Sequence, residues 1–338
     1  MIIAFKAAAA SSAGGVPGDV AVSFGTTPYV HVYEWINGFG AKYADPATVP
    51  GGFSWEVRFN DADDEIAVAH NGSPYITAYP WAAGFGTKYS NPASLVTGNA
   101  RSVDWSSDGN YVVLGHQSSP YAAVYAWSSG FGTKYTASPW VESGFGNGAK
   151  FNTAATEIAF GGNVSPYITV YPWSAGFGTR YSNPATLPTG SVDGVAWTVA
   201  DDAVAAAHAS SPYITAYPWS AGFGTKYANP ATLPTSNGQK VAFTNADDAI
   251  AVAHTFSPYI TAYPWSAGFG TKYADPATLP TGNAENVAYR INDDAIAVAH
   301  RTTPYIAAYP WLAGFGSKYA DPATLPTADT YGVAFTNQ

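Results

Sequence analysis

Hydrophobic and polar positions alternate along most of the chain in short runs, and clusters of Gly, Pro, Asp, Asn and Ser separate the runs. In AIAVAH (Ala295–His300) one face is all Ala, and the other carries Ile, Val and His. In YITAYPW (Tyr259–Trp265) one face carries Tyr259, Thr261, Tyr263 and Trp265. A two-residue period of this kind predicts β-strands. The stretch 286–320 holds four of them. NVAY (Asn286–Tyr289) is strand a. The turn Ile291–Asp294 leads to strand b, AIAVAH. The turn Arg301–Pro304 leads to strand c, YIAAYPW (Tyr305–Trp311), and the loop Ala313–Gly316 to strand d, SKYA (Ser317–Ala320). The spacing of Gly and Pro leaves no room for a helix of ten residues or more.

The unit recurs. Pro-Tyr stands at Pro28, Pro74, Pro120, Pro166, Pro212, Pro258 and Pro304, each 46 residues after the last. Trp35, Trp81, Trp127, Trp173, Trp219, Trp265 and Trp311 keep the same step, as does the Phe of each Gly-Phe-Gly loop. Seven periods account for 322 of the 338 residues. A four-stranded unit of this length cannot cover both of its faces alone, but units stacked around an axis cover one another. The expected fold is all-β: a seven-bladed β-propeller of four-stranded antiparallel blades. GVAFTNQ (Gly332–Gln338) is a strand a with nothing after it, and DVAVSF (Asp19–Phe24) is a strand b lacking a proper strand a before it. Pairing Val333–Phe335 with Val20–Phe24 would close the ring with the C-terminal strand and remove its open edges. The expected organisation is an N-terminal extension, 1–18, and a propeller, 19–338.

VDWSSDGNYVVLGH (Val103–His116) resembles the strand, Ser-Pro-Asp-Gly turn, strand unit of WD40 propellers, and Tyr-Pro-Trp takes the place of that family's Trp-Asp. The His before strand a and the Asp before strand c that form the family's hydrogen-bonded tetrad are missing, and here a His ends strand b. The likeness is therefore to WD40-like rings. Ser211–Thr235 and Ser257–Thr281 differ only at Asn229 against Asp275, which resembles the recently amplified propellers of bacteria and their viruses. WD40 rings commonly hold partners at one mouth of the central channel.

The copies also align with one another, and the columns that differ gather at one mouth. One column reads Trp55, Arg101, Asn147, Asp193, Gln239, Glu285, Tyr331, seven different residues. The next reads Glu56, Ser102, Gly148, Gly194, Lys240, Asn286, Gly332. In the b-to-c turn a third reads Gly25, Asn71, Gln117, Asn163, Ala209, Thr255, Arg301. In an up-and-down blade the d-to-a and b-to-c loops share a face. The candidate ligand-binding residues are therefore Trp55, Arg101, Asn147, Asp193, Gln239, Glu285 and Tyr331, with Asn71, Gln117, Asn163, Thr255 and Arg301 around them. The constant Gly-Phe-Gly loops gather on the other face, where the Trp and Phe either wedge between blades or form a ring of sugar-binding aromatics.

Composition narrows the partners. Charged residues are 11%, aromatics 15%, and the net charge is −9, without a basic block. Nucleic acid and anionic membrane, which need clustered Lys and Arg, are not expected. There is no cysteine, which removes disulfides, thiolate metal sites and Cys nucleophiles. The opening MIIAFKAAAASSAGG puts Lys6 after its short apolar patch and reads as a tail, not a secretory signal. No stretch has the length and apolarity of a membrane span. His70, His116, His208, His254 and His300 fall one to a blade, too dispersed for one metal ion. Asp63–Asp64, Asp201–Asp202, Asp247–Asp248 and Asp293–Asp294 sit in hairpins and read as turn chemistry before calcium ligands. No nucleophile motif or phosphate loop stands out. The oddest segment, Thr136–Phe151 with Trp140 and Glu142, does not make a mechanism. The expectation is a non-enzymatic module without cofactor or metal, monomeric or part of a larger assembly, holding an unidentified protein or glycan. The alternatives are a multivalent lectin and a structural or receptor-binding component of a phage virion.

Overall fold

Apolar-in alternation on both faces of each sheet forces the sheets to stack, and they do so around one axis. The computed structural model describes residues 17–136 and 144–338. Trp140 and Glu142, and residues 1–16 of the expected extension, lie outside the described residues. The strands form seven antiparallel sheets, each in the order a-b-c from the channel outward. The first blade is built from both ends of the chain: Gly18–Phe24 pairs with Thr330–Phe335, with Val20 opposite Phe335 and Val22 opposite Val333. The ring is a seven-bladed β-propeller closed by its C-terminal strand, as the repeat predicts.

One detail differs. Strand d is regular only at Phe39–Lys42 and Phe131–Thr136; the other five sheets have three strands among the described residues. In those blades a bridge between the Trp and the Phe of the Gly-Phe-Gly loop, such as Trp219 to Phe223, takes its place. A single further bond, such as Tyr227 N to Ala216 O at 3.0 Å, holds the segment beyond. The Gly and Pro that tighten this loop leave too few consecutive residues for a ladder.

The aromatic columns are the mortar between blades. Trp219 meets Tyr181 of the preceding blade at 5.0 Å, and Trp197 and Phe223 of its own at 5.1 and 5.0 Å, all edge-to-face. Its indole N–H donates to Glu157 Oε2 at 2.6 Å. The seven column tryptophans are between 1 and 7% exposed, so no sugar can stack on them and the wedge reading holds. The histidines are structural too. His70, His208 and His254 bond Thr77, Thr215 and Thr261 at 2.9, 2.8 and 2.9 Å. Burial pulls each of them down to about 4, so all are neutral at pH 7.

The paired aspartates divide their work. The first of each pair sits at positive φ and reaches the hairpin of the preceding blade. Asp247 (φ 55°) accepts from the backbone N–H of Val199 and Ala200 at 2.8 and 2.9 Å; Asp201 and Asp293 do the same one blade either side. The second caps its own turn, as Thr198 Oγ1 to Asp202 at 2.8 Å. These hairpins are thus clipped to their neighbours at the mouth of the channel where the inner strands end.

Candidate functional site

The inner strands begin at the other, upper mouth, so the first variable column is carried inward by backbone geometry. Trp55, Arg101, Asn147, Asp193, Gln239, Glu285 and Tyr331 line one cavity of about 170 Å³, with Lys240 and Arg301. All seven residues of the column meet. Of the b-to-c residues only Arg301 reaches in. Asn71, Gln117, Asn163 and Thr255 stay on the rim, tied to the d-to-a loop: Gln117 Oε1 accepts from Asn99 at 3.1 Å, and Asn163 Oδ1 from Phe145 N at 3.0 Å. Thr255 Oγ1 lies 3.0 Å from Ser236 Oγ, and Asn71 N donates to Phe53 O at 3.0 Å. These side chains are too short to cross the rim; Arg301 is long enough.

One wall is aromatic. Phe53, Trp55 and Tyr331 pack with centroids 4.3–5.0 Å apart. The Arg101 guanidinium lies 3.8 Å above the Trp55 ring, a cation–π contact that fixes its plane. Among the described residues Arg101 makes no ion pair or hydrogen bond, although Asp193 and Glu285 lie close enough to act on it electrostatically. The opposite wall is acidic. Arg301 Nε meets Glu285 Oε1 at 2.6 Å. Burial pushes Glu285 up to about 7 against the pull of Arg301, and Asp193 adds to the rise. Burial also raises Asp193, whose Oδ1 accepts from Asn147 Nδ2 at 2.8 Å.

Lys240 forms the floor. Its Nζ crosses the channel from the sixth blade to Glu56 Oε2 on the second at 3.3 Å, and donates to Asn147 O on the fourth at 3.2 Å. Gly194 makes room for it: a Cβ there would lie 2.7 Å from Lys240 Cα. Neither Phe53 nor Lys240 was among the candidates. Lys240 stood in the second variable column, the signal that could have found it. Phe53 heads a column of its own, Phe53, Asn99, Phe145, Ser191, Asn237, Asn283, Asp329, whose variation was equally visible.

Below the floor a wider chamber of about 480 Å³ opens to the opposite mouth. Its two cations are paired off, Arg58 to Glu56 at 2.9 Å and Lys150 to Asp104 at 2.6 Å, and Asp61 accepts from Asn337 Nδ2 at 3.4 Å. The free guanidinium and the near-neutral carboxyl belong to the smaller, upper cavity, which is therefore the stronger site despite its size. Among the described residues no group of three His, Asp or Glu is placed to hold a metal ion.

No protein-family model matches the chain, and no curated protein matches it. Solved structures do. A protein from Lactobacillus plantarum superposes with a TM-score of 0.74 at 13% identity, over 95% of this chain and 99% of that one. The periplasmic gluconolactonase of Pseudomonas aeruginosa gives 0.70 at 10% identity, over 95% and 99%. A protein from Bacteroides uniformis described as a 6-phosphogluconolactonase gives 0.67 at 11%, over 94% and 99%. At these identities the likeness is one of fold. It nevertheless corrects the expectation of a non-enzymatic module, and with it the lectin and virion alternatives, because full-length rings of this shape include two named as lactonases. The expectation rested on finding no blade marked by unusual residues, and that signal is a weak one here, because in the mouth each blade supplies one residue and no single repeat looks odd.

Proposed function

We propose that this chain is a hydrolase that opens a lactone, a cyclic ester, at the upper mouth. The observation that carries this is the Glu285 carboxyl, held near pH 7 in a small cavity that also holds the unpaired Arg101. A general base works best when its pKa lies near the working pH. The cavity is smaller than the ~300–1,000 Å³ usual for drug-sized ligands, which suits a single small ring. The names of the two solved lactonases agree with this reading.

In this mechanism ionised Glu285 takes a proton from a water molecule, and the oxygen attacks the lactone carbonyl. The negative charge that develops on the carbonyl oxygen falls to Arg101, whose plane is fixed by Trp55 and which needs no rearrangement to receive it. The ring C–O bond then breaks, and protonated Glu285 returns its proton to the departing alkoxide. The product is a hydroxy acid. Arg301 orients the base, and Phe53, Trp55 and Tyr331 offer a flat wall to the ring. Asn147, Asp193 and Gln239 are left to bond substrate hydroxyls. The blades are read as WD40-like, in keeping with the Ser106–Gly109 turn, where Ser106 Oγ bonds Asp108 at 2.6 Å.

The test is a pH-stat assay of purified protein on glucono-1,5-lactone, its 6-phosphate and simple γ- and δ-lactones. Glu285→Gln is expected to lower kcat by about 10²–10⁴-fold with KM little changed. Opening of every lactone at the uncatalysed rate, or equal rates for wild type and Glu285→Gln, would overturn the proposal.

A further inference from the structure

Below the Lys240 floor the two halves of the lower chamber differ. One position of the inner strand carries Arg58, Asp104 and Lys150 on three successive blades, and Ala196, Ala242, Ala288 and Ala334 on the other four. The charged crescent is closed by its own pairs. Arg58 meets Glu56, which Lys240 also reaches, and Lys150 meets Asp104, whose other oxygen accepts from Phe151 N at 3.0 Å. The facing crescent is apolar and open to the chamber: Val199 is 42% exposed, and Ala242, Phe243, Tyr289 and Ile291 are half-buried. Asp61 stands three residues further down the charged crescent, at the mouth. Among the described residues it is the one charge on the chamber wall in no ion pair, with only the long bond from Asn337 Nδ2 at 3.4 Å. Burial and Asp104 raise its carboxyl, and Lys150 offsets them only in part. Arg58 and Lys150 cancel Asp61 and Asp104, so the mouth sets the polarity of the chamber. That mouth is acidic. Its hairpins carry Asp63–Asp64, Asp201–Asp202, Asp247–Asp248 and Asp293–Asp294, and Asp108 adds another. The cations at this end are Arg58 and Lys150 inside, and Arg290, which meets Asp294 at 2.8 Å. A cleft ringed by one sign of charge concentrates ions of the other.

We infer that the lower chamber is a binding site for a small organic cation, a primary ammonium carried on an apolar body, with the ammonium at Asp61 and the body against Ala242, Phe243 and Ala288. The chamber, about 480 Å³, falls within the ~300–1,000 Å³ usual for small-molecule sites, which pair apolar walls with a few placed polar groups. A carboxylate meets the wrong sign, because both chamber cations already hold carboxylates and the mouth repels it. A bare metal ion leaves the apolar crescent in water, and among the described residues no group of three His, Asp or Glu is placed to hold one. A neutral apolar molecule gains the wall but nothing from Asp61. The Lys240–Glu56 pair separates this chamber from the upper cavity, and the inference is independent of the lactonase reading.

The experiment titrates 2-phenylethylammonium into the purified protein by isothermal titration calorimetry at low ionic strength. 3-Phenylpropionate and 2-phenylethanol carry the same ring on an anionic and a neutral head and serve as controls. Expected is saturable one-site binding of the ammonium, about tenfold or more tighter than either control. Asp61→Asn changes an exposed side chain and should weaken the ammonium about fivefold or more. Ala242→Leu fills the apolar side and should weaken it as well, whereas Glu285→Gln, in the upper cavity, should leave binding unchanged. No saturable binding in the millimolar range, equal binding of 3-phenylpropionate, or an ammonium affinity unaltered in Asp61→Asn would overturn the inference. Loss of binding in Glu285→Gln with retention in Asp61→Asn would overturn it too, by moving the amine to the upper cavity.

Discussion

Replacing Glu285 by Gln should make the protein more stable at pH 8 and leave it nearly unchanged at pH 4.5. The carboxyl is 8% exposed, and burial lifts it from an ordinary 4.5 to about 7. The folded state therefore binds its proton more tightly than the unfolded state does. A group raised in this way contributes its full stability below pH 4.5, and that stability is lost as pH rises through 7. The gap of about 2.5 pH units corresponds to about 3 kcal/mol, and this already includes the opposing pull of Arg301. Gln keeps the volume and polarity but never ionises, so it escapes the cost. The assay is the urea midpoint of both proteins at pH 4.5, 6, 7 and 8. The gap should open with pH, to about 3 kcal/mol at pH 8.

The same ionisation has a direct reading. A carbon-13 titration of the Glu285 carboxyl should give a midpoint near 7, and Arg301→Gln should move it higher by removing the cation at 2.6 Å. If lactone hydrolysis uses this base, the rate rises with pH through the same midpoint. A gap that does not depend on pH, or a carboxyl titrating near 4.5, would refute the reasoning whatever the substrate proves to be.

Three more outcomes are expected. The six histidines His31, His70, His116, His208, His254 and His300 are all pulled down to about 4 by burial. The unfolded chain takes up their protons first, so stability falls as pH drops from 6.5 towards 4; urea midpoints should show this slope, and His254→Gln should lessen it. Asp247→Ala removes two acceptors and places Ala at a φ of 55°, a cost of about 2 kcal/mol in chemical denaturation, whereas Asp247→Asn should cost less than half of that. Trp219→Phe removes the donor bonded to buried Glu157 Oε2 at 2.6 Å, leaving only Asn152 Nδ2 at 3.4 Å, and should cost about 2–4 kcal/mol by the same measurement.

The sequence revealed most where a residue acts on its own unit or the next one. The period of 46, the alternation in AIAVAH and the lone strand GVAFTNQ were enough for the ring and its closure, because strand pairing depends on local pattern and a repeat multiplies that pattern. Strand d was over-read, since Tyr and Lys suit a strand but the Gly-Phe-Gly loop uses up the residues that would pair. The aspartate clips were out of reach: Asp247 looks like any hairpin Asp until Val199, 48 residues earlier, is seen beside it. The mouth was half legible. Position 285 could be placed on the channel from its column alone. That its carboxyl would titrate near 7 depends on burial and on Asp193 two blades away, and neither is written in the neighbouring residues.

The contrast between constant and variable columns follows from the axis itself. Between blades, each Trp meets the same neighbours in every copy, so the best residue for one interface is the best for all seven. On the axis the copies meet one another. Seven identical side chains there would collide if large and repel if charged, and seven glycines would leave a pore. A closed, polar waist requires unlike residues: Lys240 reaching across, Glu56 receiving it, and Gly148, Gly194 and Gly332 yielding space. The upper mouth extends the same rule, with Arg101 and Asp193 kept apart by the ring and brought to one cavity. Drift in exposed loops would scatter differences over the rim. Here the side chains of the first variable column line a single cavity, where each substitution changes what six others face. Repetition supplies the walls of this molecule, and the breaking of repetition at the axis supplies the mixed charge and shape of its two chambers.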